Sequence, residues 1–256
     1  MARLIFKQMD WREIMKKKGI IWTSVIATVI VIGGGGYALM NDYLGNNVEI
    51  ESVMSPSVEN NANALEETGS GEGVTAGAAV SVDELNGAWS IASGSKVYWS
   101  VTTSKETVNF VNEAVSGTWT VDLNDASKMS GEGVLDMTAL DSGNSQRDSH
   151  VKDREDLLAI AQYPQATFTA TAITSQATEF TEGKSVPLTI EGTLTVKGVE
   201  KAVTFDSNAM YKDGQLLLSG TTQVTFGDFG ITSPHTVVLE TENDLSIQLE
   251  LILAQA

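Results

Sequence analysis

Between residues 88 and 253, apolar and polar side chains alternate in one short run after another. A period of two puts every second side chain on the same face, which is the pattern of a half-buried strand. The clearest case is 190–205. Ile190, Gly192, Leu194 and Val196 alternate with Glu191, Thr193, Thr195 and Lys197, and Val203 and Phe205 resume the pattern after Lys197-Gly198. The glycine suits a tight turn, so the segment predicts a hairpin. Further strands are predicted at 88–91, 96–101, 109–113, 117–123, 133–140, 167–173, 188–196, 199–210, 215–226 and 245–253, with Asp213-Gly214 as a second turn. One segment breaks the alternation. Residues 148–162 carry cap-competent Asp148 and Ser149 and early acids, and stop before Tyr163-Pro164, which predicts a single helix. The expected fold class is all-β: an antiparallel barrel of about eight strands with one short helix, occupying residues 81–256.

The N-terminal part has different patterning. Residues 19–40 form an uncharged apolar run, about 33 Å long as a helix and therefore matched to a bilayer's hydrocarbon core. A transmembrane helix is expected there, with Trp22 and Tyr37 near its ends. Arg3, Lys7, Arg12, Lys16, Lys17 and Lys18 precede it against only Asp10 and Glu13. This basic segment, 1–18, predicts a cytoplasmic N-terminus and an extracytoplasmic remainder. A cleaved signal peptide is the alternative, though Ala38-Leu39-Met40 makes a poor cleavage site. Residues 41–80, rich in Asn, Ser, Gly and Glu with no basic residue, are expected to form an acidic flexible linker.

The overall charge of −17 weighs against nucleic acid as a partner, because phosphate binding needs a basic face. No cysteine is present, which excludes disulfides, thiolate metal sites and a cysteine nucleophile. The two histidines, His150 and His235, cannot supply a three-histidine metal site, and Ser149-His150 adjacency is not a triad. The glycines between 69 and 73 neither follow a strand nor open a helix, so they do not read as a phosphate loop. A non-enzymatic chain is expected, with no required cofactor. A barrel of this size either fills with its own side chains or holds one small ligand. The mixture of bulky Leu, Val and Phe with small Gly192, Ala139, Ala170 and Gly220 is compatible with both.

The pattern G-x-L-T-x-x-G-V-x-K-x-V-x-F, from Gly192 to Phe205, resembles the signature hairpin of the YceI-like family. The segments ALDSG (139–143), RDSH (147–150), YPQATF (163–168) and FGDFGI (226–231) follow the family's order as well. The resemblance implies a lipocalin-like barrel around a long isoprenoid or similar lipid, such as a polyisoprenoid or a quinone. Candidate apolar lining residues are then Trp99, Trp119, Met137, Phe168, Leu194, Val196, Phe205, Val224, Phe226 and Phe229. Arg147 and His150 are polar candidates at a barrel mouth, where either would meet a quinone oxygen or phosphate head. The structural alternative pairs Arg147 with a carboxylate and has Asp148 cap the helix. Two departures from the family stand out: REDLLAIA (154–161) replaces an aromatic-rich stretch, and Gly227 stands where the family often has a basic residue. The expected function is a membrane-tethered binding protein in the periplasm or at the bacterial cell surface, holding lipid for carriage or sequestration. A structural module binding an unknown protein partner at the cell envelope is the alternative, and a subunit of a membrane redox assembly is a third reading.

Overall fold

A computed structural model describes residues 43–54, 78–175, 177, 179–233 and 240–256. The expected transmembrane segment and most of the expected linker lie outside the described residues. Among the described residues no helix is long and apolar enough to cross a membrane. The chain divides into two compact units, Met1–Leu44 and Gly45–Ala256, and every element below belongs to the second.

The strands are β1 (Ala79–Val80), β2 (Gly87–Ile91), β3 (Lys96–Thr103), β4 (Thr107–Asn112), β5 (Val115–Val121), β6 (Ser130–Asp136), β7 (Gln165–Ser175), β8 (Phe180–Thr181), β9 (Val186–Val196), β10 (Val199–Lys212), β11 (Gln215–Thr225) and β12 (Thr241–Gln255). Among the described residues two short α-helices interrupt them, α1 (Val82–Leu85) and α2 (Ser145–Asp153). The main sheet runs β11-β10-β9-β7-β6-β5-β2-β12-β3-β4, and β11 also pairs with β12, which closes it into a barrel. β2 and β3 lie end to end along one edge of β12, with Ile91 opposite Leu253 and Val97 opposite Leu249. β5 pairs with β2 and β4 with β3, so these ten segments make eight antiparallel staves, two of them bent. The tiny β1/β8 ladder stands apart from this sheet.

Local chemistry accounts for the main turns. Lys197 and Gly198 both have positive φ, 53° and 74°, as do Asp213 and Gly214, 52° and 77°. These are two-residue turns whose twist matches the flanking strands. Val196 opposite Val199 and Lys212 opposite Gln215 set the two registers. Because the side-chain period is two, those registers carry Gly192 opposite Val203 and Ile190 opposite Phe205 to the interior together.

Three differences from the expected elements have physical causes. The helix begins earlier and is shorter, because Asn144 Oδ1 accepts the Arg147 N–H at 3.1 Å and so takes the cap position. Asp148 does not cap; it turns back to the preceding loop, as described below. The expected strand over 133–140 ends at Asp136, whose side chain accepts the Thr138 N–H at 3.0 Å and starts a 3-10 turn over Met137–Ala139. Third, part of the expected linker is fixed to the barrel wall. Tyr98 and Glu250 point outward from strands whose neighbours Val97, Trp99, Leu249 and Leu251 point inward, yet they are 1% and 0% exposed. The 45–54 stretch covers them. Tyr98 Oη accepts the Glu51 N–H at 3.1 Å, and Glu250 Oε2 accepts the Val53 N–H at 2.9 Å. Ser219 Oγ and Gln248 Nε2 both donate to Glu250 Oε1, at 2.7 and 2.6 Å. Farther along the strap, Asn109 donates from its backbone to Asn46 Oδ1 and from its side chain to Val48 O, each at 2.9 Å.

Candidate functional site

Alternation along the staves sends one continuous set of apolar side chains inward. All ten residues expected to line the interior, Trp99, Trp119, Met137, Phe168, Leu194, Val196, Phe205, Val224, Phe226 and Phe229, fall in one buried cluster. In the middle of the barrel they pack on each other. The Phe168 and Phe205 rings meet edge to face, with centroids 5.3 Å apart and planes at 81°. Gly192 makes that pair feasible, since a methyl there would come within 2.5 Å of Phe168 Cε2 and of Thr169 O. Phe226 and Phe229 belong to a 3-10 turn held by a reciprocal cap between Thr225 and Asp228, and Lys201 Nζ reaches Asp228 Oδ1 at 2.5 Å.

Open space appears at the other end of the barrel, beside α1. An apolar cavity of about 90 Å³ is bounded there by Leu85, Trp119, Val121, Ile173, Phe180, Leu216 and Leu253, among others. None of its lining residues carries a charge, and Ser175 supplies its one hydroxyl. Such a lining recognises hydrocarbon by removing it from water, at about 25 cal/mol per Å². Of the ten residues expected from sequence, Trp119 alone lines this cavity; the other nine belong to the buried cluster but not to its wall. The indole N–H groups of Trp99 and Trp119 are both buried with no hydrogen-bond partner, a condition that costs about 1–3 kcal/mol each.

The polar candidates lie elsewhere. Arg147 is buried at 8% exposure and donates from Nε to Ser142 Oγ (2.8 Å), from Nη2 to Ser142 O (2.7 Å) and from Nη1 to Gly45 O (2.7 Å). Its guanidinium also stands 5.7 Å over the Phe110 ring. Ser142 Oγ in turn donates to Asp148 Oδ1, which also accepts the Ser142 N–H at 3.0 Å. Burial pushes the Asp148 carboxyl up, against the pull of the Ser142 hydrogen bonds. Arg147, Ser142 and Asp148 therefore brace one loop to α2 and to the 45–54 strap, and neither charged residue borders the cavity. His150 is exposed on α2, with Nε2 3.1 Å from Arg154 Nη1. The Arg154 guanidinium is itself paired with the Asp156 carboxylate.

Leu85, Ile173, Phe180 and Leu216 are cavity residues that the strand pattern did not single out. Leu85 belongs to the single turn of α1, and Phe180 to a two-residue strand too short to show a period. Leu216 carried a signal, because it continues the inward alternation of Leu218, Gly220, Thr222 and Val224; Ile173 carried none, because a bulge between Ala170 and Ala172 shifts the phase of β7 and turns it inward opposite Ile190.

An eight-stranded antiparallel barrel with an uncharged hollow at one end is the form of a container for a single apolar molecule. Residues 89–251, more than half of the chain, match the model of the YceI-like domain, and the chain belongs to that family. It is 33% identical over 94 residues to protein YceI of Salmonella arizonae, covering 37% of this chain and 44% of that relative. The same figures hold for protein YceI of Salmonella newport, so the match spans less than half the length of these curated relatives. Among solved structures, BcnA of Burkholderia cenocepacia has the same fold, with a TM-score of 0.54 at 20% identity over 63% of this chain and 98% of that one. A polyisoprenoid binding domain from Saccharophagus degradans gives 0.54 at 14% identity over 67% of this chain and 99% of that one.

Proposed function

We propose that this chain is a lipid-binding barrel that holds an isoprenoid, a quinone or a similar long-chain lipid for carriage or sequestration. The observation that carries the reading is the uncharged cavity beside α1 in a barrel with a continuous apolar core. The family, and a structural neighbour described as polyisoprenoid binding, support the same ligand class. Residues 19–40 act as a membrane anchor and place the barrel on the extracytoplasmic side, a reading supported by the apolar run and the basic cluster before it. Binding is the whole of its activity, and cargo exchanges with the nearby bilayer.

The test is native mass spectrometry on the full chain, purified from membranes in mild detergent, with solvent extraction of whatever is retained. A stoichiometric prenyl chain or quinone is expected. A barrel that retains nothing and takes up no added geranylgeraniol would overturn the proposal and favour the protein-binding module.

A further inference from the structure

The cavity beside α1 is too small for the ligand the barrel is proposed to hold. At about 10–15 Å³ of such volume per water-sized group, 90 Å³ takes a handful of methylenes. A long chain needs room farther in, and the wall of β5 and β6 shows where that room lies. Three residues of β6 face inward in succession: Gly131, Gly133 and Leu135. Gly131 lies directly under the Trp119 ring, and a methyl on it would come within 2.5 Å of Cζ3 and 2.7 Å of Cδ2. Gly133 is one inward step farther from α1, about 6.6 Å along the strand. It is buried, and a methyl built on it would meet nothing within 4 Å. Its cross-strand partners are Gly117 and Phe168, so the wall there is thinned by two paired glycines.

Trp119 pairs with Gly131 and borders the cavity, so in register it stands between the cavity and the space at Gly133. Its N–H makes no hydrogen bond that would hold the ring in place. We propose that Trp119 is a movable partition inside the barrel: when its indole swings off Gly131, the cavity beside α1 and the hollow at Gly133 join into one channel for a long apolar chain. Short ligands occupy the cavity alone and leave the partition shut. Gly133 sets the length limit, because a side chain there takes up room in the inner compartment in proportion to its size. The inference rests on the lipid-binding reading and adds to it the residues that decide chain length.

The experiment uses the full chain in mild detergent with two probes, the five-carbon alcohol prenol, small enough for the closed cavity, and its longer homologue geranylgeraniol. Binding is read by native mass spectrometry, and the Trp119 Nε1–H by its ¹⁵N-indole resonance. In the wild type both probes bind, and only geranylgeraniol moves the Trp119 resonance. Gly133→Val keeps prenol affinity within about twofold and loses at least tenfold in geranylgeraniol affinity, with Gly133→Ala intermediate. Trp119→Phe, a smaller partition, strengthens geranylgeraniol binding relative to prenol. Equal binding of both probes by wild type and Gly133→Val, or a Trp119 resonance that geranylgeraniol leaves unmoved, overturns the partition while lipid binding stands. A wild type that binds neither probe overturns both readings.

Discussion

Gly192→Ala should be among the more damaging single-methyl changes in the barrel. Its new carbon would lie 2.5 Å from Phe168 Cε2 and from Thr169 O, more than 1 Å inside the 3.5–4.0 Å optimum for such contacts. The ring is restrained, because it packs edge to face with Phe205, the centroids 5.3 Å apart. The carbonyl is restrained too, because it belongs to the β7 backbone paired with β9. Overpacking of this kind costs about 1–3 kcal/mol, and two restrained neighbours put this case near the upper figure. With about 2–4 °C of Tm per kcal/mol for a domain of this size, the melting temperature should fall by about 6–12 °C. Gly133→Ala is the matched control. It is also an inward glycine in a central strand, but its methyl meets nothing within 4 Å, so its Tm should stay within about 2 °C of wild type. Thermal melts followed by near-ultraviolet circular dichroism report both. Equal Tm for wild type and Gly192→Ala, or an equal loss in both variants, would refute the steric reasoning.

Three further changes probe the polar framework. Glu250→Gln replaces an acceptor oxygen by a donor where Val53 N–H, Ser219 Oγ and Gln248 Nε2 all donate; it should cost about 1–3 kcal/mol in urea unfolding and speed hydrogen exchange over 45–54. Arg147→Met removes three hydrogen bonds to Ser142 and Gly45. It should destabilise by about 3 kcal/mol yet leave geranylgeraniol affinity unchanged, and a lost affinity would place Arg147 in the binding site. Asp148 has its proton affinity raised by burial, so from about pH 4 upward the unfolded chain releases this proton before the native one does. Stability tied to this group therefore falls as pH rises, until the native carboxyl also ionises. Asp148→Asn keeps an acceptor for Ser142 and should gain stability relative to wild type as pH rises above about 4; urea midpoints that stay parallel as pH rises from there would contradict this.

What could be read from the chain was whatever two-residue alternation encodes. It located the β9–β10 hairpin with its Lys197-Gly198 turn, and it put Leu194, Val196, Phe205 and Val224 on the face that is buried; Met137, Phe226 and Phe229 lie in 3-10 turns, outside that period. The strap at 45–54 could not be read, because an acidic, aperiodic stretch is ordered here by Tyr98 and Glu250, far along the chain. The helix start was ambiguous for a different reason. Asn144, Ser145, Asp148 and Ser149 are all able to cap, and Ser142 engaged Asp148 and left the cap to Asn144. Whether the interior is full or hollow depends on how side chains from several staves add up. The cavity exists because Leu85 and Phe180 roof an end that Trp119 does not fill, a sum that no single strand's pattern contains.

The placing of β12 sets the order in which the barrel can form. It is the last of the described strands, and it pairs with β11, β2 and β3. Until it arrives, β11 and the β2–β3 stave both present open edges, and the strap lacks the Glu250 carboxylate that binds Val53 from 197 positions away. Closure is thus a late event dominated by distant pairings, the kind that makes β-barrels slow to fold. A chain emerging from synthesis would carry unpaired strand edges until β12 is free, and through that interval it would depend on protection from aggregation.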